Sequence, residues 1–137
     1  ISPEGIDGLT MGAAISSNTN GGGDDVDETT AYLSYAMGSF TFGMQTSDYD
    51  SSVANSDLES IAYGLTYAVN DDFSIGYSYH ELETETSGDG DQESTGISAS
   101  YTMGGMTLAG ASNDSLNLGG TTTTDVEGYE FTLSFAF

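Results

Sequence analysis

Carboxylates dominate the reactive chemistry of this chain: 22 acidic residues stand against no Lys, no Arg and one His, for a formal net charge of −22. They are bunched. Asp24, Asp25, Asp27 and Glu28 lie together, as do Asp48, Asp50 and Asp57, and then Glu83, Glu85, Asp89, Asp91 and Glu93. Such hard oxygen ligands take Ca²⁺ or Mg²⁺ when they converge. No EF-hand spacing is present, and Gly21-Gly22-Gly23-Asp24 does not recur as a calcium β-roll repeat. The expectation is no defined metal site and no cofactor, with Ca²⁺ or Mg²⁺ loosely screening solvated loops. The acids still form an acidic vestibule that concentrates cations wherever they surround an opening. The same charge repels nucleic acid, which needs a basic partner.

Nucleophilic catalysis would have to use His80, the single histidine, with a Ser and an orienting carboxylate in register. Glu81 is adjacent and serines are abundant, so their presence carries no information, and the expectation is a wall residue and no enzyme. Cysteine is absent, which removes disulfides and thiol chemistry. Ile1-Ser2-Pro3-Glu4-Gly5 has neither the basic start nor the apolar stretch of a signal peptide. Either a signal was removed or the chain begins inside a longer protein.

The elements that must carry these groups follow a period of two. Eight segments show it. Outward residues Tyr35, Phe42, Leu65, Tyr77, Ile97 and Phe131 are apolar or aromatic, and their alternates are Ser, Thr, Gly and Ala almost throughout. The segment from Met106 to Asn113 is the weakest, because both of its faces are small. Each run is about 9–11 residues, the length of a tilted membrane-crossing strand. The polar parity supplies the candidate pore-lining residues: Thr41, Gln45, Thr66, Ser74, Ser78, His80, Ser98, Ser100, Glu130, Thr132 and Ser134. Tyr32 is the one aromatic clearly on that parity, so a sugar-binding aromatic slide is a minor option. Tyr35, Tyr63, Tyr67, Tyr77, Tyr79, Tyr101 and Tyr129 read as lipid-facing or interfacial belts. Ala13, Ala31 and Ala99 are small outward residues suited to a subunit contact.

Short connections are expected at 38–39, 70–72 and 104–105, recurring about every 33 residues. Long polar connections are expected near 17–28, 46–58, 82–94 and 113–126. Apart from Glu4, Asp7, Asp71, Asp72 and Glu130, the acids fall in or beside the long connections. Short turns at one end and long acidic loops at the other are the plan of an outer-membrane barrel, with periplasmic turns and extracellular loops. The fold expected is therefore an all-β, transmembrane, antiparallel up-and-down β-barrel. A closed barrel of about eight strands would need its interior packed by side chains. Ser, Gly, Ala and Thr would leave a void there, and inward Glu130 has no basic partner. Such residues suit a wider, water-filled barrel of roughly 16–18 strands.

The last stretch, Gly128-Tyr-Glu-Phe-Thr-Leu-Ser-Phe-Ala-Phe137, resembles the final strand of Gram-negative porins, whose C-terminal Phe is read by the barrel-insertion machinery. The opening Ser2-Pro3-Glu4-Gly5-Ile6-Asp7-Gly8-Leu9-Thr10-Met11-Gly12 resembles the start of a mid-barrel strand in the trimeric general porins of proteobacteria. The resemblance implies the C-terminal half of a barrel of about 16 strands, a homotrimer in outer-membrane lipid, and passive diffusion of small hydrophilic solutes and ions. The family's luminal Arg and Lys are missing here. The acidic charge adds an expectation of cation preference. Two other readings stay open: a closed eight-stranded barrel acting as adhesin, receptor or structural protein, and a soluble or fibrillar extracellular β-protein.

Overall fold

The computed structural model describes residues 3–19, 23–85 and 90–136. Eight strands run in chain order: β1 (Leu9–Thr19), β2 (Asp25–Met37), β3 (Phe40–Ser51), β4 (Leu58–Ala68), β5 (Phe73–Thr84), β6 (Gln92–Met103), β7 (Met106–Leu116) and β8 (Val126–Phe135). They form one sheet in the order β1 to β8, each strand antiparallel to its sequence neighbour. This is an up-and-down meander. Apolar residues, many of them aromatic, alternate with small ones along most of the strands, and no Pro follows Pro3 to break a ladder.

The short turns have local causes. Gly38 (φ 58°) and Gly104 (φ 61°) supply the left-handed conformation that two-residue hairpin turns require. The β4–β5 turn is closed by Asn70, whose Oδ1 accepts from the backbone N–H of Asp72 and Phe73, both at 2.9 Å. Gly8 (φ 83°) starts β1. Its carbonyl accepts from Ala36 N at 2.9 Å, and a Cβ there would run into the Ala36 carbonyl. Gly8→Ala is expected to destabilise the folded protein by about 1–3 kcal/mol. Thermal melting in detergent checks this, and an unchanged midpoint would refute it.

The ladders run further than the sequence pattern suggests. β1 continues to Thr19 and β2 starts at Asp25; β3 reaches Ser51; β5 reaches Thr84 and β6 starts at Gln92; β7 reaches Leu116 and β8 starts at Val126. Much of the segments 17–28, 46–58, 82–94 and 113–126 is therefore strand rather than loop. The expected boundaries fell where outward residues stop being apolar. Ladder hydrogen bonds join backbones and continue regardless of what covers the face. For the same reason the weakly alternating seventh segment pairs along its length with both neighbours.

Among the described residues Val26 is the only buried hydrophobic side chain, and Gly96 the only other buried residue, so the sheet has no hydrophobic core of its own. One face is apolar and open: Phe42, Leu65, Ile75, Tyr77 and Ile97 are exposed, and Phe131 on the last strand is 81% exposed. A patch of this extent needs lipid or protein against it. The register is staggered. Leu9, the first outward residue of β1, shares a row through Tyr35, Phe42, Leu65, Tyr77, Ile97 and Ser112 with Tyr129, the outward aromatic of β8 nearest the loops. The apolar band thus slides along successive strands, as it must when strands tilt in a barrel wall. β1 and β8 each pair on one side only, and no ladder joins them among the described residues.

Candidate functional site

The face opposite the apolar band is lined with small polar groups. Strand alternation sends neighbouring side chains to opposite faces, so the register settles which residues share one. Thr41 pairs with Thr66, Ser74 with Ser100, and His80 with Ala62 and Ser94. Gln45 pairs with Ala62, Ser78 with Gly64, and Ser98 with Gly76. Glu130 pairs with Ala111, Thr132 with Ala109, and Ser134 with Thr107. All eleven residues singled out on the polar parity therefore lie on this one face. Thr41, Gln45, Thr66, Ser78 and His80 border a groove of about 780 Å³. Thr66, Ser74, Ser98, Ser100, Glu130 and Thr132 border another of about 290 Å³.

Many hydroxyls on this face bond across the ladder. Thr30 Oγ1 lies 2.8 Å from Ser47 Oγ, Ser94 Oγ lies 2.9 Å from Ser115 Oγ, and Thr102 Oγ1 lies 3.0 Å from Thr107 Oγ1. Each pair fixes rotamers and leaves lone pairs and protons for water. Glu130 accepts from Thr132 at 3.2 Å. The hydroxyl end of the Tyr32 ring lies against Gly12 of β1, where a Cβ would meet the ring at 2.5 Å. One pinned ring does not make a slide of aromatics.

Among the described residues no catalytic arrangement forms around His80. Its Nε2 is 3.4 Å from Ser60 Oγ, a long contact. Glu81 projects to the opposite face, where it accepts from the Tyr79 hydroxyl at 2.6 Å, and it cannot orient the imidazole. The seven tyrosines assigned to the lipid side all lie on the apolar parity. Two aromatic stacks stand there, Phe40 on Tyr67 at 4.5 Å and Tyr63 on Tyr79 at 4.9 Å.

The acids are arranged differently from a vestibule lining the inner wall. In the strands, Asp25, Asp27, Asp48, Asp50, Glu83 and Glu93 take the parity of the apolar face, and of the expected vestibule acids in strands only Glu28 takes the hydroxyl face. Past the apolar band, the outer side of the strands turns acidic. Period two continues there while its chemistry inverts, and charge alone gave no parity to read. Asp24, Asp57, Glu85 and Asp91 lie just outside strands; Asp89 and Phe137 lie outside the described residues. Asp25 accepts from Thr19 Oγ1 and Asp57 from Ser51 N, both at 2.7 Å, so these two carboxylates shape their loops.

Asp48, Asp50, Asp57, Glu59, Glu83 and Asp91 crowd one notch of about 250 Å³ at the loop end. The carboxyl of Glu83 is held above the usual carboxylate range, first by the charge of Asp91, then by loss of water and by Glu59 and Glu81. The raised value favours the protonated form in the folded rim, so acidification relieves this repulsion and it returns as pH rises. Among the described residues no group of three or more acids or His is placed to hold a metal ion.

Sequence reading missed Tyr49, Leu58 and Leu82, which stand on the hydroxyl face. Continuing the parity of Gln45 through Ser47 reaches Tyr49, so the signal was there, hidden in a segment assigned to loop.

A staggered, antiparallel meander with one lipid-compatible face and one hydroxylated face defines the wall of an outer-membrane β-barrel. The chain matches the Gram-negative porin family over residues 4–121 and belongs to that family. It is a protein of the bacterial outer membrane. Its fold is similar to that of OmpT, an outer membrane protein of Vibrio cholerae solved after in-vitro folding, with a TM-score of 0.66 and 16% identity. The match covers 94% of this chain and 52% of that one, so the chain spans about half the length of the solved relative. No curated protein matches it.

Proposed function

We propose that this chain is about half the wall of a wider porin, the C-terminal half of a barrel of roughly 16 strands, through which small hydrophilic solutes and ions diffuse passively. The observation that carries this reading is the hydroxyl face: it is continuous across the strands, and apart from a few larger residues such as Tyr32, His80 and the loop-end Tyr49, Leu58 and Leu82 its side chains are small, too small together to fill a closed eight-stranded interior. The two unpaired edges support the same reading. A long edge in hydrocarbon would leave backbone N–H and C=O groups without partners, so β1 and β8 need further strands. Family membership and the half-length match to the solved barrel agree with it.

The working mechanism is diffusion through water held by Ser, Thr, Gly and Ala, with no chemical step and no cofactor. Glu28 and Glu130, without a basic residue in the chain to neutralise them, favour cations. Ca²⁺ and Mg²⁺ screen the acidic rim loosely. The proposal extends to a homotrimer; its support is the family, together with a shallow notch on the apolar face where Ala13 and Ala31 pair beside Thr46.

Single-channel recording of the native protein in planar bilayers under a salt gradient tests the reading. Large stepwise conductance with a cation-selective reversal potential is expected. Folded, inserted protein without conductance would refute the pore.

A further inference from the structure

The hydroxyl face changes character at its loop end. Tyr49, Leu58 and Leu82 stand there in positions that small polar residues fill elsewhere. Tyr49 and Leu58 are register partners, and Leu82 pairs with Ser60, one step along the same face. On its other side Tyr49 pairs with Glu28. The three apolar side chains and Glu28 border a groove of about 460 Å³ whose floor includes Thr30 and Ser47. The Thr30 hydroxyl bonds Ser47 at 2.8 Å and reaches the Thr46 carbonyl at 3.1 Å, so the floor is held in place.

Lipid does not account for these residues. At this height the opposite face carries Asp48, Glu59 and Glu83, so the lipid-side parity is already charged. The apolar trio instead faces the side on which solutes would pass. Leu58 is 38% exposed, and leaving it so in water forfeits its burial energy. The groove falls within the size range of small-molecule sites and combines apolar walls with two acids on its border, Glu28 and Asp48. Both are negative, and the Tyr49 ring beside Glu28 offers a π face to a cation.

We propose that this groove is an affinity site for small amphipathic organic cations, an ammonium group carrying an aromatic or short alkyl body. The ammonium sits between Glu28 and the Tyr49 ring, and the body lies on Leu58 and Leu82. The site rests on the pore reading for its access but not for its chemistry. It would retain such cations at the mouth longer than K⁺ and slow their passage.

The test compares benzyltrimethylammonium with tetramethylammonium, added at equal concentration to the loop side of the native protein in planar bilayers. Benzyltrimethylammonium is expected to reduce the single-channel KCl current reversibly at concentrations where tetramethylammonium does not. Replacing the apolar walls by Leu58→Ser and Leu82→Ser should raise the half-blocking concentration about tenfold, read against each variant's own unblocked current. Equal block by both cations, or block unchanged by the substitutions, overturns the site. If KCl gives no current, the pore reading fails, and saturation-transfer NMR of the same two cations on the folded protein in detergent decides the site separately. These 137 residues have no cysteine, so Leu58→Cys can also be titrated with a water-soluble thiol reagent, with labelling of the unsubstituted protein as the background. Rapid labelling is expected, and a protected thiol would mean that another part of the protein covers the groove and would overturn the proposal.

Discussion

Leu65→Arg is expected to cost the folded, inserted protein about 2–4 kcal/mol, whereas Thr66→Arg, one residue away, is expected to leave it inserted. The two positions differ only in face. Leu65 lies mid-strand in β4 on the apolar parity, paired with Phe42 on one side and Tyr77 on the other. An Arg there would point into hydrocarbon near the middle of the band, too far from either interface for its guanidinium to reach water cheaply. Thr66 pairs with Thr41 and Gly76 on the hydroxyl face, where an Arg can reach water. Folding into lipid vesicles, followed by denaturant titration, measures both. Equal tolerance at the two sites would refute a lipid-facing band. Equal loss would refute a hydrated face and would favour a sheet packed on both sides. A soluble β-protein predicts that Leu65→Arg improves solubility at little cost.

The comparison of these neighbours shows what the sequence makes legible. Period two assigned Leu65 and Thr66 to opposite faces correctly, because strand pleating converts a one-residue step into a change of side irrespective of the partner strand. The turns were equally readable, because Gly38, Asn70 and Gly104 act through their own backbones or through neighbours a few residues away. What did not read was non-local. Asp48 and Glu83 looked like loop residues, since an outward acid in a strand above the lipid has the same composition as an acid in a loop. Only the ladders, Asp48 to Glu59 and on to Glu83, show that the strands continue there. Tyr49 and Leu82 were hidden for the same reason. The clasp between the last two long connections, where Asn117 Nδ2 donates to the Asp91 carbonyl and Gly119 N donates to Gln92 Oε1, each at 2.9 Å, depends on chain segments that no local pattern brings together.

On the proposed pore reading, neutralising the two acids of the hydroxyl face, Glu28→Gln with Glu130→Gln, is expected to remove most of the cation preference this chain would contribute, while Asp48→Asn with Glu83→Gln changes it far less. The sheet separates the two pairs: Glu28 and Glu130 share the hydroxyl face, and Asp48 and Glu83 point the other way. A cation passing about 4 Å from a carboxylate in water gains roughly 1 kcal/mol, up to about a fivefold rise in local concentration. Carboxylates on the outer side act across the wall and through the salt around its rim, where the Debye length is about 10 Å at 0.1 M and about 3 Å at 1 M. The reversal potential in a KCl gradient measures the difference. At low salt it should fall toward zero for the Glu28 and Glu130 pair and hold for the Asp48 and Glu83 pair, and at molar salt all variants should converge. If the outer pair instead controls selectivity, the rim acids reach the permeation path and the assignment of faces at the loop end is wrong. If neither pair does, selectivity is set by residues other than these four, and the hydroxyl face serves only as a neutral, hydrated lining.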